Sequence, residues 1–431
     1  MFKRISMVAM LTTLLVLILT ACGEVNSTPL TATTTAASTT ATGGVITAST
    51  VSSTDGLITP DICPKPGTTT WTGEVKIGVG GPYTGASAGL GLSIQRGTEM
   101  AIDDINSCGG IAGKKLTAVY RDDKAKPDVG LTNWRDLIDT KDIVGLIGTA
   151  NTAVGLVQAP VVNQSKIPWI DSVATDTKVT QDTTATPNYV FRISMVDALQ
   201  TKFVADAVLA KYKKVAIIHD ETVYGTLGRD DIVTALSSKG VTALMDETYK
   251  VGWSSDDMKP VINKVKASGA EVVINWGLGA EAANLRIAMK DLGVDIPFYG
   301  SWSMSMPIFQ QNAGGLENGA IQPQSISVDT TTAKQKEFFA KYLKKYNTNT
   351  VGFPSGLGQS YDATWIMALA MIRNPGVESD RTKLRDAIVN FGSFAGVIKN
   401  YDKPFASNSF EALTVTDFLM TTWKDGKIIR L

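Results

Sequence analysis

Histidine is nearly absent: His219 is the only one in 431 residues, and cysteine occurs three times. A His/Cys metal cage and a His-dependent catalytic centre therefore lack material. Neither sign of charge is in excess, with 41 Lys+Arg against 41 Asp+Glu and no Lys/Arg-rich run. That excludes a dedicated nucleic-acid binder. At 44% hydrophobic and 19% charged residues, the chain is ordinary for a globular protein and too polar for a multi-span membrane protein. Over 27–59 aromatic residues are missing and Asp55 is the sole charge. Such a Thr/Ser/Ala/Gly segment cannot bury enough apolar surface to offset its chain entropy, so it reads as a flexible stalk.

The N-terminus carries an address. Lys3 and Arg4 precede an uncharged apolar run, 5–19, that stops at Leu19-Thr20-Ala21-Cys22-Gly23. This is a secretory signal ending in a lipobox. Thr20 and Ala21 are small enough for a peptidase pocket, and Cys22 offers a thiol for diacylglycerol and becomes the new N-terminus. A short membrane anchor is the other reading of the run, although an anchor needs no cysteine there. Both place the folded part outside the cytoplasm, on the periplasmic or cell-surface side. Cys63 and Cys108 remain as an even pair in an oxidising compartment, which suggests one disulfide. Closing a loop of that length would stabilise by roughly 4 kcal/mol in the chain-entropy model; two free thiols are the alternative.

Beyond the stalk, the chain is long enough for two domains of about 150 residues each. Short β-branched runs alternate with amphipathic stretches. In the first helix, expected over 91–106, Ile94, Ala101, Ile102 and Ile105 share one face. Strands are expected at 75–79, 116–120, 143–147, 169–172 and 189–193, with helices at 128–140 and 153–164. A second series follows: helices at 198–212, 229–239, 258–267 and 280–292, and strands at 215–219, 242–249, 272–275 and 297–299. The fold class is therefore α/β, with two Rossmann-like doubly wound lobes joined by a hinge with multiple crossovers. Helices at 331–347, 359–373 and 381–391 and strand-like segments at 412–419 and 427–431 are too few for a third domain. The expected organisation is signal 1–22, stalk 23–73, first lobe 74–194 plus about 325–391, and second lobe 195–324 plus about 392–431.

Ligands of open parallel sheets bind beyond the carboxyl ends of the strands. The turns to examine are 80–91, 148–153, 172–176, 220–225, 276–281 and 300–304. These turns carry a resemblance. Ile77-Gly78-Val79-Gly80-Gly81-Pro82-Tyr83-Thr84-Gly85, Asp103-Asp104-Ile105-Asn106, Gly109-Gly110-Ile111-Ala112-Gly113, Gly145-Leu146-Ile147-Gly148, Ala174-Thr175, Tyr224-Gly225 and Phe298-Tyr299-Gly300 stand in an order and spacing that resembles the leucine/isoleucine/valine-binding family of type I periplasmic binding proteins. The resemblance runs from about Val75 to Leu431. It implies an extracytoplasmic receptor of an ABC importer. Such a receptor captures a small solute between its lobes, hands it to a permease with its ATPases, and performs no chemistry. No cofactor is implied.

Residue by residue, the resemblance implies that Asn151 and Thr152, with Thr175 and a backbone group of Val173, hold a ligand carboxylate, a role that also suits a helix N-terminus. Thr152 has a purely structural alternative as a helix N-cap. Tyr224 matches the aromatic that faces the ligand from the second lobe. Trp302 is a departure, because relatives that bind amino acids place an acidic residue there against the ligand ammonium. Glu221 or Glu281 would have to supply the missing charge. Tyr83, Tyr224, Trp276 and Trp302 are instead expected to wall an aromatic-lined cavity, which favours a carboxylate-bearing solute, amino acid or aromatic acid.

Two rival classes are weighed. Gly78-Val79-Gly80 starts like a dinucleotide fingerprint, but Pro82 and Tyr83 block it. Gly85-Ala86-Ser87-Ala88-Gly89 has hydrolase-elbow spacing yet lies behind a Gly/Pro turn, and His219 is expected merely to end a strand with its hydrogen bonds satisfied. The chain is thus not read as an enzyme. A ligand-sensing receptor working through a separate membrane partner is the alternative function.

Overall fold

A computed structural model describes Cys63 and residues 70–181, 186–330 and 332–431. The expected signal with Cys22, and the stalk except for Cys63 and 70–73, lie outside the described residues. Cys63 and Cys108 are disulfide-bonded. Among the described residues no helix is long and apolar enough to cross a membrane.

The first sheet is all parallel. Its strands are β1 (Glu74–Gly81), β2 (Lys115–Asp122), β3 (Ile143–Ile147), β4 (Trp169–Asp171) and β5 (Val190–Arg192), in the order β2-β1-β3-β4-β5. β3 is buried on both faces, as a strand inside a parallel sheet is, and a register shift against β1 at its start divides its side chains between two cores. Val144 and Ile147 join a core with helix α1 (Ala88–Ser107). Ile143 and Leu146 join one with α2 (Pro127–Asp139) and α3 (Thr152–Ser165).

The chain then crosses over, and helix α4 (Asp197–Leu209) begins the second lobe. Its sheet repeats the winding with β6 (Val215–Asp220), β7 (Met245–Tyr249), β8 (Val272–Trp276), β9 (Phe298–Gly300) and β10 (Ala320–Gln324), and the parallel part runs β7-β6-β8-β9-β10. Val215 and Ile217 pack with α4 and α5 (Val223–Ser237) on one face. Ala216 and Ile218 pack with α6 (Ser255–Ser268), α7 (Gly279–Asp291) and α8 (Pro307–Ala313) on the other. Burying each such Val or Ile is worth about 1.5–3 kcal/mol.

After β10 the chain returns to the first lobe with α9 (Ala333–Lys345), α10 (Pro354–Arg373) and α11 (Arg381–Val389). It crosses a third time to end in β13 and β14, described below. α10 is buried along almost its whole length and lies against α1. The two helices meet where Gly97 faces the backbone: a Cβ there would fall 2.4 Å from Leu357 O and 3.1 Å from Tyr361 N.

Three expectations need correction. Segment 392–418, assigned to the second lobe, packs on the first. It forms a hairpin of β11 (Ser393–Ala395) and β12 (Asn400–Asp402), and Phe394, Val397, Tyr401, Phe405, Leu413 and Phe418 bury in the first core. Asp362 of α10 clasps it, accepting from Val397 N (2.8 Å), Ile398 N (2.9 Å) and Tyr401 Oη (3.0 Å). Only β13 (Leu419–Lys424) and β14 (Lys427–Arg430) extend the second sheet, both antiparallel. The strand expected at 412–419 is reduced to one bond to β5, Ala412 N–H donating to Arg192 O (2.9 Å), after which a Thr414/Asp417 capping box turns the chain toward β13. Helix α5 starts at Val223, six residues before the expected Arg229. Gly225 and Gly228, which read as loop residues, serve close packing: a Cβ on Gly228 would lie 2.0 Å from the Trp276 ring.

Gly97→Ala should destabilise the fold by about 1–3 kcal/mol, because the clash is with backbone that cannot swing aside. A lowered urea midpoint with an unchanged m-value would register it.

Candidate functional site

Parallel winding delivers several helix N-termini to one place. The sheets reverse their winding between β1 and β3 and between β6 and β8, and ligand crevices open at such switch points. α3 begins just after β3, α5 just after β6 and α7 just after β8. A cavity of about 140 Å³ lies there between the lobes. An enclosed space of ~150 Å³ holds a benzene-sized guest.

From the first lobe the cavity is lined by Leu90, Ala125, Ala150, Asn151, Thr152, Ala153, Val173 and Thr175. From the second it is lined by Thr222, Val223, Tyr224, Leu278, Trp302 and Ser303. Sequence reasoning thus placed six of its residues on one surface: Asn151, Thr152, Val173, Thr175, Tyr224 and Trp302. Tyr83 and Trp276 are not among the lining residues. Tyr83 folds back on its own sheet, its hydroxyl donating to Val79 O (3.1 Å) and its ring set edge-on to Tyr120. Trp276 is fully buried in the second core, covered by Gly228. An aromatic after a strand enters the sheet core or the cleft according to the strand's pleat, and neither residue's pleat was fixed by the pattern.

On the first-lobe wall, Gly148 (φ 97°) turns the chain from β3 against Gly80, where a Cβ would meet Gly80 O at 2.1 Å. Asn151 then takes the N-cap position of α3 without making a side-chain cap bond. Its Nδ2 donates to Ser87 Oγ (3.2 Å), while Asn151 Oδ1 and Thr152 Oγ1 are buried with no hydrogen-bond partner. The capping role considered for Thr152 is therefore not the one it has: it is the first helical residue, and its hydroxyl is unspent. Beside it lie first-turn N–H groups that have no intrahelical acceptor. The neighbouring turn differs from expectation. Val173 N–H donates to Asp171 Oδ1 (3.2 Å), and the Thr175 hydroxyl donates to Asp197 Oδ2 (2.7 Å). Val173 therefore brings its side chain rather than a free N–H, and Thr175 brings an oxygen lone pair rather than a proton.

Asp220 organises the second-lobe wall. Its Oδ1 accepts from Thr222 N (2.9 Å) and from the Thr222 hydroxyl, and its Oδ2 accepts from Leu278 N (3.0 Å), so one carboxylate ties the starts of α5 and α7 together. Thr222 caps α5 by accepting from Gly225 N (3.2 Å). The phenol of Tyr224 is sealed from solvent, and burial pushes its pKa up, so it remains neutral. Trp302 packs edge-on against Phe353, with ring centroids 4.9 Å apart. Glu221 and Glu281, the two candidate counter-charges, are elsewhere: Glu221 accepts from Val251 N (3.3 Å) and Glu281 from Gly252 N (2.9 Å). Most lining residues that were not singled out, including Leu90, Leu278 and Ser303, fall within the turns the strand pattern marked. Ala125 does not, because it follows β2, whose end the pattern did not mark.

His219 ends β6 between Asp220 O and Thr248 Oγ1, each 2.9 Å from a ring nitrogen. It has no contact with Ser87, whose hydroxyl meets Asn151. Among the described residues no group of three His, Cys, Asp or Glu is placed to hold a metal ion.

A ligand-sized cavity between the strand ends of two lobes, lined by both, is the arrangement of a two-lobed solute receptor. A family model for periplasmic binding proteins matches residues 74–427. The chain belongs to the leucine/isoleucine/valine-binding family of type I periplasmic binding proteins, whose members bind solutes and are not enzymes. It is 30% identical over 362 residues to Leu/Ile/Val-binding protein homolog 3 of Brucella melitensis, covering 83% of this chain and 94% of that protein. It is 31% identical over 244 residues to an amino acid binding protein of Pseudomonas aeruginosa, a match that spans 56% of this chain and 64% of the relative, less than two thirds of its length. Among solved structures, a type 1 periplasmic binding protein from Bordetella pertussis superposes with a TM-score of 0.76 at 25% identity, covering 83% of this chain and 99% of that one. Two more share the fold over 83% of this chain. A branched-chain amino acid transporter substrate binding protein of Streptococcus pneumoniae with isoleucine has a TM-score of 0.71, 22% identity and all of that chain covered. An R. palustris solute binding protein with 4-hydroxybenzoate has a TM-score of 0.70, 16% identity and 95% of that chain covered.

Asp123, behind Ala125, gives a pH test of this wall. It accepts from Ala125 N (2.8 Å) and Thr149 Oγ1 (3.1 Å), yet burial outweighs these bonds and pushes its pKa up to about 6. The folded chain then keeps a proton that the unfolded chain gives up near pH 4. The stability this contributes is present at low pH and is lost as pH rises through about 6, a span worth about 3 kcal/mol. Urea unfolding from pH 4 to 7 should show wild type falling relative to Asp123→Asn across that window.

Proposed function

We propose that this chain is the extracytoplasmic receptor of an ABC importer, a lipoprotein tethered through Cys22 that captures a small carboxylate-bearing solute by closing its lobes. One observation carries the reading: an uncharged cavity of about 140 Å³ between the lobes, at the N-termini of α3, α5 and α7, with Thr152, whose buried hydroxyl has no hydrogen-bond partner, in its wall. Helix N-termini favour anions through free N–H groups and the helix dipole. The bound acids of the isoleucine and 4-hydroxybenzoate neighbours, both small carboxylates, support that class.

Three chain crossings between the lobes form a hinge. A solute seated on Asn151 and Thr152 gains Tyr224 and Trp302 only when the second lobe meets it. Such a solute favours the closed form by its differential affinity for the two states. The closed receptor then docks on a membrane permease driven by ATPases, and lipid on Cys22 keeps it near that partner.

Native mass spectrometry of the freshly purified chain should reveal a co-purified small acid, and binding to Thr152→Val should be about 10- to 100-fold weaker, the loss expected for one hydrogen bond to a charged group. Repeated purifications and a broad panel of carboxylates with no bound solute would end the reading. Cys22→Ala should move the chain from the membrane pellet to the soluble fraction and abolish labelling by a radioactive fatty acid.

A further inference from the structure

We infer that the solute is a carboxylate without an ammonium group: a compact un-aminated acid rather than an α-amino acid. The inference rests on the receptor reading above and narrows its solute class.

No Asp, Glu, Lys, Arg or His lines the cavity. None of the acidic residues near the walls is a lining residue, Asp176 and Asp231 of α5 included, and several are bonded elsewhere. Both oxygens of Asp220 are taken by Thr222 and Leu278. Asp197 is fully buried behind Thr175, whose hydroxyl it accepts. Asp123 is held by Ala125 and Thr149, and Glu221 and Glu281 accept from the backbone of Val251 and Gly252. Trp302 brings an indole to the wall and no charge.

The fixed charges point the same way. The cavity faces the first turns of α3, α5 and α7, helices of 14, 15 and 13 residues, and each contributes a partial positive charge there. A carboxylate is drawn to that field, and Thr152, a residue 2% exposed in the wall, holds a hydroxyl with no other hydrogen-bond partner. An ammonium would be repelled by the field, stripped of water and left without a counter-charge, the costliest way to bury a charge. Asn151 Oδ1 and the Thr175 oxygen supply neutral acceptors, which suit a hydroxyl or amide on the solute but do not compensate a full charge.

Isothermal titration of the full chain with matched acids tests this: 4-methylpentanoate against leucine, 3-phenylpropanoate against phenylalanine, and 4-methylpentanamide as a neutral member. The expected result is at least 100-fold tighter binding of an acid than of its amino-acid partner. An amino acid that binds as tightly as its acid, or more tightly, overturns the inference while leaving carboxylate capture standing. Binding of the amide without preference for the acid removes carboxylate capture itself, and failure of every acid to bind counts against both. Val223→Asp supplies a second measurement. Val223 lines the cavity, is 42% exposed and starts α5, a position where an acidic side chain is well tolerated. The added carboxylate should narrow the acid-to-amino-acid ratio at least tenfold, and an unchanged ratio overturns the inference.

Discussion

A parallel strand must be followed by a crossover, so each helix that follows one begins at the strand's carboxyl edge with its first N–H groups unbonded. The whole site depends on that constraint. Both sheets wind in the same order, and three helices therefore start on the same small volume: α3 from one lobe, α5 and α7 from the other. The fold supplies a seat for an anion before any particular side chain is chosen. Asp220 makes the second-lobe half of that seat rigid by accepting from the starts of α5 and α7 at once.

The side chains then decide what the seat accepts. Buried polar atoms are normally paired, and leaving one unpaired costs about 1–3 kcal/mol. Thr152 Oγ1 and Asn151 Oδ1 are buried and unpaired in two residues of one cavity wall, an arrangement that suits a surface adjusted by its ligand. Behind the first-lobe wall, buried Arg192 bonds to Glu411 and to Asp176 O while Asp171 Oδ1 accepts from Val173 N, so the turn carrying Val173 and Thr175 is held in place. A stiff frame around an unspent interior favours recognition over chemistry.

Much of this was legible beforehand. The β-branched runs marked nearly every parallel strand, and the rule that ligands sit past their carboxyl ends marked most of the turns that line the cavity. The pattern misjudged residues whose side-chain direction depends on a neighbour. Tyr83 and Trp276 lie in the right turns but point into their own lobes. Val173 N–H and the Thr175 proton look available until Asp171 and Asp197, distant or unremarkable in sequence, are seen to take them. The tail was misassigned for a similar cause: the apolar residues of 392–418 call for burial without saying beneath which lobe.

The sequence by itself determined the two α/β series, the turns after their strands, the missing histidine chemistry and the uncharged residue at Trp302, because periodicity and composition are local properties that survive without coordinates. Only the tertiary structure decided which polar atoms remain unspent, that Glu221 and Glu281 stand off the cavity, and that residues 392–418 belong to the first lobe. Those facts turn on which partner reaches each group first, and hydrogen bonds and core contacts are exclusive choices made between segments far apart along the chain.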